Sequence, residues 1–243
     1  MNILITDTGS AFGQALAMEF LNNGASVYGI SRRSGGRLKN YKHYHHLTYD
    51  LTKHEVLDLH LKNFLNRVDT LDLVILNAGI LSQINDMRKT SVKDIITVMN
   101  VNLLANKVII DTLLESVSDV YQIVAISSGS AIKGSRGWNA FAISKAALNT
   151  LMKLYAKEVP ETHFSALEPG IIDTDLHESN RRLTREAIYP LARELKERSL
   201  SEEISEHKYA ANYLVEAMGT VLQEESGSFM DVRDLLLTPE LVS

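Results

Sequence analysis

The chain has 243 residues, of which 45% are hydrophobic and 23% are charged, a composition typical of a folded globular protein. Its formal net charge is -5 and no basic stripe stands out, which argues against nucleic acid as a partner. It has no cysteine, which excludes disulfides, thiol catalysis and cysteine-ligated metal. No charged prefix precedes the first apolar run, and no apolar run approaches the roughly 18 residues of a membrane span. We therefore expect a cytoplasmic protein without a signal peptide or a membrane segment.

Short apolar runs alternate along the chain with longer stretches in which apolar residues recur every three or four positions. The short runs predict buried strands over 3–5, 26–30, 73–76, 123–126 and 164–167. The longer stretches predict helices over 12–21, 56–68, 92–114 and 141–159. This alternation predicts an α/β protein with a Rossmann-like, doubly wound parallel sheet. In such sheets ligands bind beyond the carboxyl ends of the strands, near the switch in strand order.

The last 70 residues depart from the simple alternation. Helical stretches are predicted around 183–198 and 203–218, followed by a final strand near 227–232. We interpret residues 173–205 as a flap over the site and the remainder as closure of the sheet, so that 1–243 is a single domain. The arginines of the flap are expected to solvate a helix end, with attraction of an anionic substrate as the alternative; they are Arg181, Arg182 and Arg185. The apolar tail over 235–237 is expected to pack on the body or on another subunit.

A loop follows the first strand and opens the first helix, where backbone amides and the helix dipole can hold a pyrophosphate. Asp7 and Ala11 lie in this loop. Aspartate tolerates left-handed backbone better than most residues, so we expect the turn to survive. Ala11 adds a methyl group where a phosphate would approach, and the Asp7 carboxylate would repel a phosphate if it pointed inward. The predicted cofactor-binding residues of the loop are Thr6, Gly9, Ser10, Phe12 and Gly13.

Ser31, Arg32 and Arg33 follow the second strand. An acidic residue at the first of these positions would select the free ribose diol of NAD, but Ser31 has no carboxylate. The two guanidinium groups that come next present planar forks of donors, which match a phosphate. We therefore predict an adenosine 2′-phosphate at this corner and NADP(H) as the cofactor. Two solvated surface arginines are the alternative interpretation.

The start of the last long helix has the sequence WNAFAISKAAL, which resembles the active-site helix of the short-chain dehydrogenase/reductase family. In that family a tyrosine lies four residues before a lysine, so both face one side of the helix. Lys145 matches the lysine, but Phe141 stands where the resemblance implies the tyrosine. The loop after the first strand resembles the family's Thr-Gly-x-x-x-Gly-x-Gly motif and matches it at Thr6 and Gly13.

Further segments resemble the family at matching places, which in the family's order follow the third, fourth and sixth strands; the fourth and sixth correspond to the runs over 73–76 and 164–167. The resemblance extends from residue 2 to about residue 233. The segment after the third strand implies contacts with adenine. The segment after the fourth implies support of the cofactor cleft, and the segment after the sixth implies contact with the nicotinamide end. In this order, the matching residues are Asp50 and Leu51; Asn77, Ala78 and Gly79; and Pro169, Gly170 and Thr174.

The resemblance also implies a catalytic set and its roles. A tyrosine hydroxyl transfers the proton at the substrate oxygen, and the lysine lowers its pKa and bonds the nicotinamide ribose. Lys145 therefore counts as both catalytic and cofactor-binding. Ser128 lies thirteen residues before Phe141 and would hold the substrate oxygen. Asn102 would support a water chain leading to Lys145, with a plain helix-interior amide as the alternative.

A phenyl ring cannot give or take a proton, so Phe141 breaks this scheme. We expect an NADP(H)-dependent oxidoreductase, a carbonyl reductase or alcohol dehydrogenase acting on a small molecule, that is impaired at Phe141. Two explanations stay open: an engineered tyrosine-to-phenylalanine variant, or a natural nucleotide-binding or regulatory scaffold without catalysis. The family pairs subunits through the helix over 92–114, and we predict a homodimer or homotetramer built on this helix and the next one, over 141–159. Its candidate contact residues are Val101, Leu104, Val108 and Leu113.

His43, His45 and His46 cluster between the second and third strands. Strand alternation places the first two on one face and His46 on the other, and no carboxylate follows at ligand spacing. We interpret the cluster as a polar edge segment and predict no metal site.

Overall fold

The computed structural model describes residues 1–34, 36–170, 189 and 207–236. Within these residues seven parallel strands form one sheet, which we label in the spatial order β3-β2-β1-β4-β5-β6-β7. The order reverses between β1 and β4, so the switch point lies at the carboxyl ends of these two strands. The strands are β1 (Asn2–Thr6), β2 (Ser26–Ser31), β3 (Tyr44–Thr48), β4 (Leu73–Leu76), β5 (Gln122–Ile126), β6 (His163–Glu168) and β7 (Ser228–Asp231).

Helices connect the strands, and a short parallel pair, Thr70–Leu71 with Asp119–Val120, lies beside the main sheet. A single turn of π-helix, Asn100–Leu104, joins two of the helices into one longer rod. Shorter 3-10 turns occur at Leu38–Asn40, His54–Val56 and Met87–Lys89. The described helices are α1 (Ala11–Asn22), α2 (Leu57–Phe64), α3 (Val92–Met99), α4 (Ala105–Ser116), α5 (Ser130–Lys133), α6 (Asn139–Glu158), α7 (His207–Val221) and α8 (Val232–Leu236).

The sheet buries an apolar face on each side. On β1, Ile3 and Ile5 belong to the core that contains residues of α1 and α7, whereas Leu4 belongs to the core that contains residues of α2, α4 and α6. All three side chains are fully buried, and each such burial contributes about 1.5–3 kcal/mol. The continuous apolar runs thus form strands that are buried on both faces of a parallel sheet, as predicted from the sequence.

The helix predicted over 92–114 carries two features that the sequence analysis missed. The first is the π turn, which interrupts regular α-helix. The second is its overall apolar character: Val92–Ser116 is a continuous helical stretch of 25 residues that passes as a membrane span by length and composition. The expectation that no apolar run approaches a membrane span was therefore wrong. Ile109 and Leu113 are nonetheless fully buried in the core shared with α2 and α6, and the core helices of globular proteins meet the same criterion.

The C-terminal part of the chain closes the sheet. α7 packs against α1, and β7 pairs with β6 at the edge. Leu235 is 8% exposed and packs into the core, which confirms for this residue that the apolar tail rests on the body. The flap predicted over 173–205 and its three arginines lie outside the described residues, except for Tyr189.

Candidate active site

The loop between β1 and α1 keeps its turn despite the aspartate. Asp7 adopts φ 57°, and within the described chain it is the only non-glycine residue with positive φ. Its N–H donates to the carbonyl of Ile30 at 2.6 Å. The Ser10 hydroxyl donates to the Asp7 carbonyl at 2.8 Å and accepts the Gly13 N–H at 3.1 Å, so Ser10 caps α1. The expectation that aspartate would tolerate this turn is confirmed.

Two glycines of the loop leave no room for a side chain. A Cβ at Gly13 would lie 2.1 Å from the Asp7 carbonyl oxygen, and a Cβ at Gly9 would lie 2.6 Å from the carbonyl oxygen of Arg33. The N–H groups of Gly9, Ala11 and Phe12 donate to no other described residue. Open amides at a helix N-terminus, in a loop without bulky side chains, fit a pyrophosphate.

Thr6 and Asn77 join the ends of β1 and β4 at the switch point. The buried Thr6 hydroxyl accepts the N–H of Ala78 at 2.8 Å, and Asn77 Nδ2 donates to the Thr6 carbonyl at 3.1 Å. These bonds fix the separation of the two strand ends. The structure thus brings together three predicted cofactor-binding residues, in a supporting arrangement beneath the cleft.

At the end of β2 the serine and the arginines point in different directions. Ser31 is 4% exposed, and its hydroxyl donates to the Arg33 carbonyl at 2.7 Å. Arg32 and Arg33 are exposed, and neither forms an ion pair with a carboxylate of another described residue. The guanidinium groups are therefore available to an anion, whereas the Ser31 hydroxyl is used internally.

Asp50 and Leu51 follow β3 beside this corner. Asp50 Oδ1 accepts the N–H of Thr52 at 3.1 Å and its hydroxyl at 2.9 Å. These bonds, the backbone one foremost, hold the pKa of Asp50 below its usual value, and the charge of Arg32 adds to the effect. Leu51 is 7% exposed and belongs to the core.

Asn102 clamps the segment after β4. It is fully buried in the π turn, and its amide accepts the Ile80 N–H at 2.8 Å and donates to the Ile80 carbonyl at 3.0 Å. Its Nδ2 also donates to the Ser144 hydroxyl at 2.9 Å, which ties the segment to α6. π turns frequently occur at functional sites, because the extra residue re-aims a side chain. Ser144 was not among the residues identified from the sequence, although a polar residue on a buried helix face is a usable signal.

Lys145 on α6 is a buried amine next to the carboxyl ends of β4 and β5. It is 3% exposed, its Nζ donates to the Ile126 carbonyl at 2.5 Å, and a Cβ at Gly79 would lie 3.5 Å from that nitrogen and 3.6 Å from Asn102 Oδ1. Burial lowers the pKa of Lys145 to about 8. Such a perturbed pKa in a cleft marks a candidate functional group.

Phe141 lies one turn before the lysine, with its ring centroid 5.6 Å from Lys145 Nζ. The ring is 7% exposed and belongs to an apolar cluster with Ile84, Trp138 and Tyr189. Trp138 meets it edge-on, with ring centroids 5.9 Å apart. The ring therefore packs well, but it brings no hydroxyl to the lysine.

Ser128 follows β5 with a half-buried hydroxyl. Its Oγ accepts the N–H of Ser130 at 3.2 Å and the Ser130 hydroxyl at 3.0 Å. Within the described residues the Ser128 O–H itself has no acceptor, so it is able to donate to a substrate oxygen. Ser130 is a second residue that the sequence analysis did not identify.

Pro169 and Gly170 follow β6, and Gly170 has a positive φ of 79°. Thr174, the third residue predicted there, lies outside the described residues. Glu168 ends the strand, half-buried, where burial and then the charge of Asp231 raise its pKa. Within the described chain, no group of three His, Asp or Glu side chains forms a metal site.

A doubly wound parallel sheet with an open amide cradle at its switch point defines a nucleotide-binding α/β fold. A family model described as short chain dehydrogenase matches residues 1–184, and the chain belongs to that family of oxidoreductases.

Three similar proteins illustrate the relationship. An uncharacterized oxidoreductase of Schizosaccharomyces pombe is 29% identical over 188 residues, which is 74% of each chain. A benzil reductase ((S)-benzoin forming) of Bacillus cereus is 25% identical over 207 residues, covering 79% of this chain and 83% of its own. A solved short chain dehydrogenase/reductase from Saccharomyces cerevisiae superposes with a TM-score of 0.84 at 20% identity over 98% of both chains. At that identity the structural match shows the fold alone.

Proposed function

We propose that the chain is an NADP(H)-dependent carbonyl reductase or alcohol dehydrogenase of small molecules whose activity is impaired at Phe141. The buried amine of Lys145 carries the proposal. Burying a charge without a partnering carboxylate is unfavourable, so such a lysine is better explained by chemistry than by stability. It lies beside Gly79 and Asn102, next to the carboxyl ends of β4 and β5.

The exposed guanidinium groups of Arg32 and Arg33 support NADP(H). Among similar proteins, an NADPH-dependent pterin aldehyde reductase of Arabidopsis thaliana is 28% identical over 185 residues. The solved neighbours include ElxO with NADP bound, and also a Brucella melitensis reductase complexed with NADH. Both nucleotides therefore occur among the neighbours, and the two arginines are the feature of this chain that supports NADP(H).

The residues of this chain would divide the work as follows. A bound nicotinamide would exchange a hydride with the substrate carbon. The Ser128 hydroxyl would donate to the substrate oxygen, Asn102 would hold the wall of the cleft, and Lys145 would bond the ribose. Phe141 supplies no proton, and loss of a general acid typically lowers rates by about 10²–10⁴.

Cofactor binding does not need the missing hydroxyl. Phe141 packs in its apolar cluster, and the phosphate cradle lies on other elements. A solved neighbour, ElxO, is described as a tyrosine-to-phenylalanine variant with NADPH bound. We expect Phe141 to leave NADPH binding intact here as well. An engineered variant and a natural loss both fit this state, and the genomic codon at position 141 distinguishes them.

We further propose a cytoplasmic homodimer or homotetramer. Leu104, Ile143 and Leu154 are exposed apolar side chains near α4 and on α6. Of the residues predicted for the interface, Val101 and Leu113 are core residues instead, because the helix is buried on more than one side. Light scattering at micromolar concentration should give a multiple of 27.1 kDa, and a 27.1 kDa particle would contradict the assembly.

Calorimetric titration with NADPH and NADH tests the cofactor directly. NADPH should bind at least about tenfold more tightly, which corresponds to about 1.4 kcal/mol. Equal affinities would contradict the argument that Arg32 and Arg33 select NADP(H). If neither nucleotide binds, the loop at Asp7 does not accept a pyrophosphate, and the oxidoreductase proposal fails with it.

A further inference from the structure

A polar network lies beneath the arginine corner and joins three parts of the fold. We call it the corner network; it comprises Thr8, Ser31, Tyr44 and His46. Ser31 Oγ lies 2.9 Å from His46 Nε2 and 3.4 Å from Thr8 Oγ1, and Thr8 Oγ1 lies 2.8 Å from the Tyr44 hydroxyl. Tyr44 and His46 are two residues apart on β3, so both project from the same face of this strand.

The direction of each hydrogen bond follows from the acceptor at its end. The Arg33 carbonyl can only accept, so the single proton of the Ser31 hydroxyl is donated to it at 2.7 Å. Ser31 Oγ must then accept from His46, which assigns the proton of the neutral imidazole to Nε2. His46 Nδ1 is left to accept the Thr48 hydroxyl at 3.4 Å. Burial, and then the charge of Lys39, lower the pKa of His46 and favour this neutral form.

The network bears on the backbone that carries the two guanidinium groups. Ser31 bonds a carbonyl two residues ahead and so holds the turn from which Arg32 and Arg33 project. A Cβ at Gly9 would meet both the Arg33 carbonyl, at 2.6 Å, and Ser31 Oγ, at 3.2 Å. The turn therefore rests directly on the phosphate loop, and a shift of one would displace the other.

Gly29, on β2, also leaves space for the side chains of the corner network. A Cβ at Gly29 would lie 2.5 Å from both Thr8 Oγ1 and the Tyr44 hydroxyl. The network thus depends on a small residue in the middle of β2 as well as on the side chains that form it. Polar side chains that only faced solvent at the edge of the sheet would not require this space.

We infer that His46 is a specificity-determining positioning residue, which fixes Ser31 and through it the turn that presents Arg32 and Arg33 to an adenosine 2′-phosphate. This inference rests on the proposed NADP(H) function. His46 itself does not touch the ligand; it acts through the Ser31 hydroxyl and the Arg33 carbonyl.

Two small ligands isolate this effect from catalysis. Adenosine 2′,5′-bisphosphate carries the 2′-phosphate, and adenosine 5′-monophosphate lacks it, so their affinity ratio measures recognition of that group alone. Calorimetry would be applied to the full chain and to the variants His46→Ala, His46→Gln and His45→Ala. His45 is the matched control, because it is an exposed histidine on the same strand that stacks on Tyr28 instead.

His46→Ala should lower the affinity ratio by about fivefold or more with little change for the monophosphate, because guanidinium–phosphate recognition depends on geometry. His46→Gln should restore the ratio, since its amide N–H can donate to Ser31, and His45→Ala should keep it. Ser31→Ala should reproduce the effect of His46→Ala, and it serves as the test if His46→Ala does not fold.

The outcomes separate the two proposals. If the unaltered chain prefers the bisphosphate and His46→Ala retains that preference, the inference about His46 is wrong while the NADP(H) proposal stands. Equal loss of affinity for both ligands would mean that His46 is only structural, and would also overturn it. If the unaltered chain binds both ligands equally, the NADP(H) proposal itself fails, and the role of His46 with it.

Discussion

The loop between β1 and α1 and the start of α6 both differ from the pattern that the family resemblance implies, with opposite consequences for the proposed function. In the loop, Asp7 and Ala11 stand where the family resemblance implies glycines, yet the turn forms, with Asp7 in left-handed backbone and Ser10 as the cap. In the helix, Phe141 stands where the resemblance implies a tyrosine, and its ring packs against Trp138 in an apolar cluster without bringing a hydroxyl to Lys145. Tyr155, further along α6, donates to Asp111 instead.

The difference reflects which atoms perform each task. A phosphate is bound mainly by backbone amides, and any side chain that permits the turn preserves them. A proton is transferred by one side-chain oxygen, and no backbone adjustment can replace it. Four variants test this contrast, from the largest expected effect to the smallest.

Phe141→Tyr should create or restore NADPH oxidation by about 10²-fold or more, because the new phenol would lie one turn from Lys145. The measurement is absorbance decay of NADPH against a broad panel of aldehydes and ketones. Phe141→Met is the matched control, which changes the ring without adding a hydroxyl and should stay inactive. A tyrosine variant that binds NADPH yet remains inactive across the panel would favour the non-catalytic scaffold.

Lys145→Met should stabilise the protein without nucleotide by about 1–3 kcal/mol at pH 7, net of the lost bond to Ile126. The folded pKa of about 8 lies below the ordinary value of 10.5, so the charged lysine disfavours the folded state at low pH. The unaltered chain should therefore gain stability as pH rises from 8 to 10.5, and the advantage of the variant should fade. Denaturant unfolding across this range measures it, with the exposed Lys157→Met as control; a gain independent of pH would contradict the assignment.

Replacing Arg32 and Arg33 together by alanine should weaken NADPH binding about tenfold, or about 1.4 kcal/mol, and leave NADH nearly unchanged. Fluorescence titration with each nucleotide would show the change. Arg67→Ala removes an equally exposed charge elsewhere and should alter neither affinity. Parallel weakening of both nucleotides would assign the arginines to general electrostatics.

Asp7→Gly should change NADPH affinity by no more than about threefold, and stability by less than about 1 kcal/mol, since either residue can adopt the turn. Asp7→Val, with a branched side chain that disfavours positive φ, should destabilise by more than about 1 kcal/mol. Thermal unfolding and calorimetry measure both. A large gain in affinity for the glycine variant would show that the loop is impaired after all.

The sequence pattern predicted the parallel sheet, because short continuous apolar runs alternating with helix-length stretches are typical of strands that are buried on both faces. It failed where a side chain's direction depends on distant partners. The buried Ser31 hydroxyl contacts His46 on another strand, and the sequence does not reveal this distant contact. Val101 and Leu113 were predicted to contact a partner subunit but are buried in the core. On a helix with apolar residues on several sides, the sequence does not indicate which side is exposed to solvent. The π turn was likewise invisible, because no residue type marks it.

Because of the π turn at Asn100–Leu104, the geometry of this site depends on the number of residues in the helix as well as on their identity. One extra residue in the turn offsets the faces of α3 and α4 by about 100°, the rotation per residue of an α-helix. Deleting a single residue there would let the rod relax to a regular spiral. The Asn102 amide would then swing away from Ile80 even though every functional side chain remained in the sequence. In a sequence alignment such a deletion would be a gap of one residue, yet the deletion would remove the bonds that hold the segment after β4.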